Sequence, residues 1–123
     1  MLRKFTKKKF QFSFTPHLSP MFRGILSTIY VDLEKNISQT KVLKTLISFY
    51  KNESFVKIFK SDTLLSTNDV INTNNCYISV CKSKYRNKII ILSAIDNLIK
   101  GGAGQAVQNL NNKFNFPEKT GLK

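Results

Sequence analysis

The sequence predicts an α+β domain with a mostly antiparallel mixed sheet and helices on one face. Apolar residues alternate with period two in several short segments, whereas two other segments have the spacing of amphipathic helices. The predicted order is β-β-α-β-β-β-α, which lacks the regular alternation of a doubly wound parallel sheet. The 123 residues allow one domain, and a hydrophobic fraction of 41% is sufficient for a buried core.

The first two predicted strands flank a proline-bounded loop. Over residues 10–15, three phenylalanines alternate with polar residues, which indicates a strand with one buried face. Residues 16–20 begin and end with proline, whose nitrogen cannot donate to a β-ladder, so they are predicted to form a loop. Gly24 marks the end of this region, and a second alternating strand is expected over 25–33.

A helix is predicted next, over about 39–51, with Ser38 as its N-cap. Its apolar side chains recur at i, i+3, i+4 and i+7, at Leu43, Leu46, Ile47 and Tyr50. A short strand follows at 55–59. Residues 61–75 are rich in Ser, Thr, Asn and Asp, and predict a long polar loop of the kind that is often functional or packs on a partner.

The remaining elements are a hairpin and a final helix. Residues 76–81 and 88–93 are predicted to pair around a turn at 84–87, and the apolar run at 89–92 indicates a central strand. The last helix is expected to end near Phe114, shortly before Pro117. Its apolar stripe consists of Ala103, Ala106, Val107, Leu110 and Phe114.

The net charge of +13 suggests an anionic partner. The amino acids used support another explanation. Of the 20 basic residues, 17 are Lys and three are Arg, while Asn and Ile occur 12 times each. Lys, Asn and Ile all have A/T-rich codons, so a biased genome would raise all three together. Nucleic-acid-binding proteins usually also rely on Arg for its two-pronged contacts.

The two cysteines, Cys76 and Cys81, are five residues apart on a predicted strand and are therefore poorly placed to pair. We interpret both as small core residues, because neither lies near a His or a helix start. No Cys/His cluster suggests a metal site, and no apolar run reaches the roughly 18 residues of a membrane span. A reducing, cytoplasmic setting is expected.

A segment rich in small residues is the first candidate site. Of the eight Gly and Ala residues, six lie between 94 and 106, after the predicted central strand and at the start of the last helix. Free backbone N–H groups there could bind an anion, with Lys100 adding positive charge. Close packing of a helix needs small residues equally, and the spacing matches neither the P-loop pattern GxxxxGK[ST] nor GxGxxG.

The proline-bounded loop is the second candidate site. It contains His17, the only histidine, and Arg23 follows six residues later. A histidine could act as an acid or a base near neutral pH, although a loop histidine with a structural hydrogen bond is more common. In a chain that uses Lys so heavily, Arg23 suggests a planar contact to a carboxylate or phosphate, with an ordinary salt bridge as the alternative. These residues form no complete catalytic set.

Four stretches resemble the C-terminal part of the N-acetyl-gamma-glutamyl-phosphate reductase family, whose members reduce an acyl phosphate with NADPH in arginine biosynthesis. The first, FSFTPHLSPMFRGILSTIYV at 12–31, is similar to the family's FTPHLxPMxRGIL segment. The other three are FYKNESFVKIF at 49–59, LSTNDVINTNNCYISV at 65–80 and SAIDNLIKGGAGQAVQNLNNKFNFPEKTGL at 93–122. The matches run in order from about residue 9 to 122. The sequence departs modestly from the family's pattern at positions that include Phe22 and Gly102, and none of these departures removes a reactive group.

The resemblance implies the fold of the C-terminal domain shared by semialdehyde and glyceraldehyde-3-phosphate dehydrogenases, which forms the dimer and one wall of the active site. It implies substrate-binding roles for Arg23 and His17. It also implies that residues near the NADP cofactor are Asn97, Lys100, Gly101 and Gly102. The substrate is a small acyl phosphate, and the expected partner is a second copy or a separate Rossmann-domain chain. Neither a membrane nor a nucleic acid is expected to bind.

The same resemblance implies what this chain lacks. The family's NADP-binding Rossmann domain, catalytic Cys and catalytic His have no counterpart, and His17 and Cys76 match other positions. Residues 1–9 are interpreted as the remnant of a preceding helix, and 10–123 as the dimerisation and substrate domain. We expect no catalytic residue and no reductase activity in this chain alone. The alternative is a non-enzymatic remnant or basic module that binds polyanions, for which the KKK run at 7–9 is the main support.

Overall fold

The computed structural model describes residues 11 and 13–123, and its central feature is a four-stranded mixed sheet. The helices and strands are β1 (Ile25–Asp32), α1 (Gln39–Phe49), β2 (Val56–Ile58), β3 (Cys76–Lys82), β4 (Lys88–Ile95) and α2 (Gly104–Lys113). The strand order is β1-β4-β3-β2, with β2 and β3 parallel and the other two pairs antiparallel. This arrangement confirms the predicted α+β class. In the described part of the chain, no helix is long and apolar enough to cross a bilayer.

The β3–β4 hairpin forms the middle of the sheet. β4 pairs with β1 on one side and β3 on the other, which confirms that the apolar run at 89–92 belongs to a central strand. Ile89 and Ala94 on β4 and Val80 on β3 are almost fully buried. The turn contains Asn87 at φ 58°, a backbone conformation that Asn tolerates better than most residues. The end of β4 is held by pairing on both sides, since Ile95 is opposite Ile25 of β1 and Cys76 of β3.

Helix α1 packs against β3 and β2. The Ser38 hydroxyl accepts the Lys41 N–H at 3.2 Å, as expected of an N-cap. The helix ends at Phe49, two residues before the predicted end, where the Tyr50 N–H still bonds to the Leu46 carbonyl oxygen. In the predicted stripe, Leu43, Leu46 and Tyr50 are half-buried, whereas Ile47 is exposed.

The long polar segment at 61–75 packs on this chain's own sheet. Leu65 and Val70 from this segment form the buried core cluster with Ala94 of β4. A short 3₁₀ turn, Thr67–Asp69, is stabilised by a capping box between Ser66 and Asp69. The loop therefore has a structural role, which its polar composition did not indicate.

The predicted strand over 10–15 is not formed in the described part of the chain. Phe10 and Phe12 lie outside the described residues, as does the predicted helix remnant at 1–9. Residues 13–15 do not belong to a strand, and Phe14 is 75% exposed. An alternating pattern alone does not define a strand, which also requires the regular hydrogen bonds of a ladder.

Candidate functional site

The candidate site is built around Asp96, which directly follows the central strand β4. Its side chain is fully buried. Oδ1 accepts the backbone N–H groups of Leu98 and Ile99, each at 2.9 Å. Oδ2 accepts the Asn72 N–H at 2.8 Å. The Arg23 Nε lies 3.1 Å from Oδ1 and 2.9 Å from Oδ2. One carboxylate thus joins three segments that are far apart in sequence.

The loop that carries Arg23 is attached to the end of β4 at two adjacent residues. Beside the Arg23 ion pair, the Gly24 N–H donates to Asn97 Oδ1 at 2.8 Å. Gly24 has φ +105°, and a Cβ there would lie 2.6 Å from the Thr67 Cβ. Both facts require glycine at this position. The structure therefore brings together two of the predicted site residues, Arg23 and Asn97, through partners that the sequence did not indicate.

The start of the last helix is different from the predicted anion site. Ile99–Ala103 carries π-type hydrogen bonds but is kinked before α2 at Gly102, whose φ of −149° and ψ of −114° are not helical. The Leu98 and Ile99 N–H groups are bound by Asp96, while the Gly101 and Ala103 N–H groups donate to the Asp96 and Leu98 carbonyl oxygens, each at 2.9 Å. The negative group at this helix start is thus the protein's own carboxylate. Gly101 and Gly102 are exposed, and because they have no side chains they leave uncharged backbone accessible beside Asn97.

Lys100 points into the domain. Its Nζ donates to Gln108 Oε1 at 2.7 Å and lies 5.6 Å from the centre of the Phe55 ring. Burial lowers the pKa of the Lys100 ammonium group, and the nearby Cys76, Glu118 and Glu53 oppose this shift. In this structure the ammonium group stabilises an internal network, so its predicted contact with a cofactor remains a prediction.

That network lies beneath the polar face of α2. Gln108 accepts from Asn74 Nδ2 at 2.8 Å as well as from Lys100, and its own Nε2 donates to Glu118 at 2.7 Å. Asn111 donates from Nδ2 to the carbonyl oxygens of Glu118 and Thr120. Asn74, Gln108 and Asn111 are all buried. This cluster was not predictable from the sequence, because buried amides form no recognisable pattern until their partners are known.

The predicted apolar stripe of α2 faces away from the core. The residues of α2 that are buried are Gly104, Gln108 and Asn111. Val107 is 39% exposed, Leu110 50% and Phe114 61%, and Ala103 and Ala106 are also exposed. The predicted stripe is present on one side of the helix, but it does not face the domain's own core, because the polar face finds hydrogen-bond partners in the 74 and 118–120 segments.

The other predicted residues are apart from this cluster. His17 lies on an exposed loop, where its Nδ1 is 3.2 Å from the Thr15 carbonyl oxygen. Cys76 and Cys81 are free thiols on β3. Within residues 11 and 13–123, no group of three His, Cys, Asp or Glu side chains could hold a metal ion. The candidate site therefore consists of Asp96, the Arg23–Gly24 loop and the adjoining segment 97–102, in which Gly101 and Gly102 are exposed.

The buried Asp96 and the half-buried Glu118 predict an acid-sensitive fold. Burial alone would raise the pKa of Asp96, but the N–H groups of Asn72, Ile99 and Leu98, together with Arg23, lower it below the ordinary 3.8. Hydrogen bonds from Ser54 and Gln108, with the charge of Lys100, outweigh burial and lower the pKa of Glu118 below 4.5. The unfolded chain therefore takes up these protons first, so the free energy of unfolding should fall as the pH drops below about 4.5 towards the lowered folded pKa values.

Urea unfolding at pH 7, 5, 4 and 3 measures this effect. Glu118→Gln should be less stable than the wild type at pH 7 and should lose less stability on acidification. The comparison isolates the contribution of Glu118 to the pH dependence, because the two proteins have the same titratable groups at all other positions. Equal pH dependence of the two proteins would show that Glu118 has no depressed pKa.

The fold and the site define a C-terminal domain of the semialdehyde dehydrogenase type. The family model described as "Semialdehyde dehydrogenase, dimerisation domain" matches residues 1–97, and the chain belongs to this family. A solved structure of aspartate semialdehyde dehydrogenase II from Vibrio cholerae has the same fold, with a TM-score of 0.58 and 20% identity. The superposition covers 76% of this chain and 28% of that one.

Curated relatives give a more specific match. The chain is 48% identical over 111 residues to the N-acetyl-gamma-glutamyl-phosphate reductase of Halothermothrix orenii, 90% of this chain and 32% of that protein. It is 51% identical over 110 residues to the Caldicellulosiruptor bescii reductase and 44% identical over 122 residues to the Clostridium botulinum one. These matches cover 89% and 99% of this chain, and 32% and 36% of those proteins. The chain therefore spans about a third of the length of these relatives.

Proposed function

We propose that this domain is the dimerisation and substrate-facing part of an NADP-dependent N-acetyl-gamma-glutamyl-phosphate reductase. In this proposal the enzyme reduces N-acetyl-glutamyl phosphate to the semialdehyde in arginine biosynthesis, and it works in the cytoplasm. The observation that carries the proposal is Arg23, whose Nε is bound to a buried carboxylate while 19% of its side-chain surface stays accessible. An arginine held in this way suits the anionic groups of an acyl-phosphate substrate.

We assign this domain one wall of the active site, next to the cofactor. Gly101 and Gly102 are exposed, and Gly102 lies next to the Asn97 carbonyl oxygen, so a nicotinamide ring could approach the backbone closely here. Such a cofactor supplies hydride when it is bound. His17 keeps its proposed role at the substrate through its exposed position near Arg23 in sequence. The chain's residues orient and bind, and we assign none of them a covalent step.

We expect the 123-residue chain to show no reductase activity by itself. NADPH oxidation with the acyl-phosphate substrate should stay at background, and turnover above background would contradict the division of roles proposed here. Co-expression with the remaining two-thirds of the Halothermothrix orenii reductase should then give a complex with activity. The exposed stripe of α2, at Val107, Leu110 and Phe114, offers an apolar surface for that partner.

Arg23→Gln tests the substrate role within this complex. The loss of a charge-assisted contact of about 1.5–3 kcal/mol should lower kcat/KM roughly 10- to 150-fold. Arg86→Gln, at an exposed arginine of the hairpin turn, is the matched control and should leave kcat/KM unchanged. A fully active complex with Arg23→Gln would overturn the proposal.

We also expect the chain to form a homodimer through β1. Within residues 11 and 13–123, β1 lies at the edge of the sheet and exposes apolar side chains on both faces, at Ile25, Leu26, Ile29 and Tyr30. An exposed strand edge of this kind is a ready surface for association. Tyr30→Lys should weaken the dimer at least about tenfold, because burial of one aromatic side chain contributes about 1.5–3 kcal/mol.

Sedimentation velocity over a concentration series measures this dimerisation. Tyr85→Lys is the control, since Tyr85 is exposed to 73% and Tyr30 to 72%, but Tyr85 lies in the hairpin turn. A monomeric wild type, or equal weakening by both substitutions, would show that β1 is not the interface.

A further inference from the structure

We propose that Asp96 is a positioning residue that orients the Arg23 guanidinium group towards an anionic ligand. The inference rests on the proposed function for the identity of that ligand, but the orientation itself can be measured without it.

The contacts fix Arg23 from two directions. Nε lies within 3.1 Å of both carboxylate oxygens of Asp96, so the side chain is held at the first nitrogen of its guanidinium group. The backbone is held one residue later, where the Gly24 N–H donates to Asn97 Oδ1. Asp96 and Asn97 are adjacent at the end of the central strand β4. Both attachments therefore share one rigid support.

This arrangement leaves the outer part of the guanidinium group for a ligand. Arg carries five N–H donors in a plane, and Asp96 engages only the one on Nε. The two terminal nitrogens form the fork that matches a carboxylate or a phosphate. A fork whose plane is already fixed loses less side-chain entropy on binding than a free one does.

Asp96 itself cannot turn away to release Arg23. Its oxygens are also bound to the N–H groups of Leu98, Ile99 and Asn72, and the side chain is fully buried. These bonds fix the carboxylate whether or not Arg23 is present. The backbone N–H groups therefore fix the Asp96 carboxylate, and the carboxylate in turn fixes Arg23.

Charge and positioning predict opposite effects for Asp96→Asn. The substitution removes a negative charge next to Arg23, so electrostatics alone would tighten the binding of an anion. If Asp96 positions the fork, binding should instead weaken about fivefold, the size expected when a long side chain must be ordered on binding. The direction of the change therefore distinguishes the two roles.

Arginine-selective NMR of the full chain provides the test. Its three arginines, Arg3, Arg23 and Arg86, give at most three Nε–H signals. In the wild type, the Arg23 signal should be shifted from that of the exposed Arg86 and should exchange more slowly with water. In Asp96→Asn it should move to the position and exchange rate of Arg86. The control Asp32→Asn, in an exposed ion pair with Lys88, should leave it unchanged.

Titrations of the same samples with inorganic phosphate and with N-acetyl-L-glutamate measure binding. We expect affinity to fall in Asp96→Asn and also in Arg23→Lys, which keeps the charge but not the fork. Weakening of phosphate alone or of the dicarboxylate alone identifies which anionic group the fork receives. Unchanged or tighter binding in Asp96→Asn would overturn the positioning role and leave the proposed function standing.

Two further outcomes distinguish the ligand-binding role of Arg23 from the positioning role of Asp96. If the wild type binds neither anion, the ligand role of Arg23 fails, and with it the purpose assigned to Asp96, even where the Nε signal still reports the ion pair. If Asp96→Asn does not fold, the exchange rate of the Arg23 Nε–H in the wild-type spectrum tests the positioning role instead. An Arg23 Nε–H that exchanges as fast as that of Arg86 would overturn the proposal.

Discussion

Asp96→Ala is expected to lower the free energy of unfolding by about 3–5 kcal/mol, the usual cost when one partner of a buried ion pair is removed. The substitution leaves the Arg23 Nε and the N–H groups of Asn72, Leu98 and Ile99 without their acceptor. Three segments would lose a common attachment at once. Because domains of this size are stable by only about 5–15 kcal/mol, much of the population should unfold on mild heating.

Urea unfolding monitored by circular dichroism measures the loss. The matched control is Asp32→Ala, which removes an aspartate from an ion pair with Lys88 on the same sheet. Asp32 is exposed, and exposed pairs contribute little. We therefore expect a change close to zero for Asp32→Ala. A comparable, small change for Asp96→Ala would show that Asp96 does not connect these segments.

The fold was largely predictable because its signals are local. The strands at 25–33, 55–59, 76–81 and 88–93 follow from alternation or apolar runs, and all four are present with shifts of one or two residues at their ends. The apolar run at 89–92 also indicated correctly that its strand is central. Each of these features depends on side chains within a few residues, so no long-range information was needed.

The site was less predictable because its contacts are distant in sequence. Arg23 and Asp96 are 73 residues apart, and Asn74 and Gln108 are 34 apart. An Asp directly after a strand and two residues before a helical turn is a recognisable capping signal, and it could have identified Asp96. Nothing local could have shown that Asp96 also holds Arg23.

The α2 helix shows the limit of amphipathic patterns. A stripe of apolar residues predicts which side of a helix is apolar, but it does not say which chain covers that side. In α2 the buried side is formed by Gly104, Gln108 and Asn111, whose polar groups are paired inside the domain. The same small residues had two interpretations in the sequence, and the structure separates them: Gly104 is needed for packing, whereas Gly101 and Gly102 are exposed.

Gly104→Ala is expected to destabilise the protein, which is the reverse of the usual effect in a helix. Gly104 has ordinary helical angles, φ −63° and ψ −38°, so alanine would normally gain about 0.5–1 kcal/mol there. A Cβ at this position would lie 2.5 Å from Asn74 Oδ1 and from Ile99 Cγ2, and 2.8 Å from the Ile99 carbonyl oxygen. We expect a net loss of about 1–3 kcal/mol in the free energy of unfolding.

The neighbours of Gly104 have little freedom to move away. Asn74 is fully buried and tied to Gln108, and the Ile99 oxygen belongs to the backbone. Gly101→Ala is the control, since its Cβ would meet only Ile95 Cδ1 at 3.4 Å and the Asp96 carbonyl oxygen at 3.5 Å. It should change stability by less than about 0.5 kcal/mol. Thermal unfolding of both variants measures the difference, and a Gly104→Ala protein as stable as the wild type would mean that the α2 helix can shift away from Asn74.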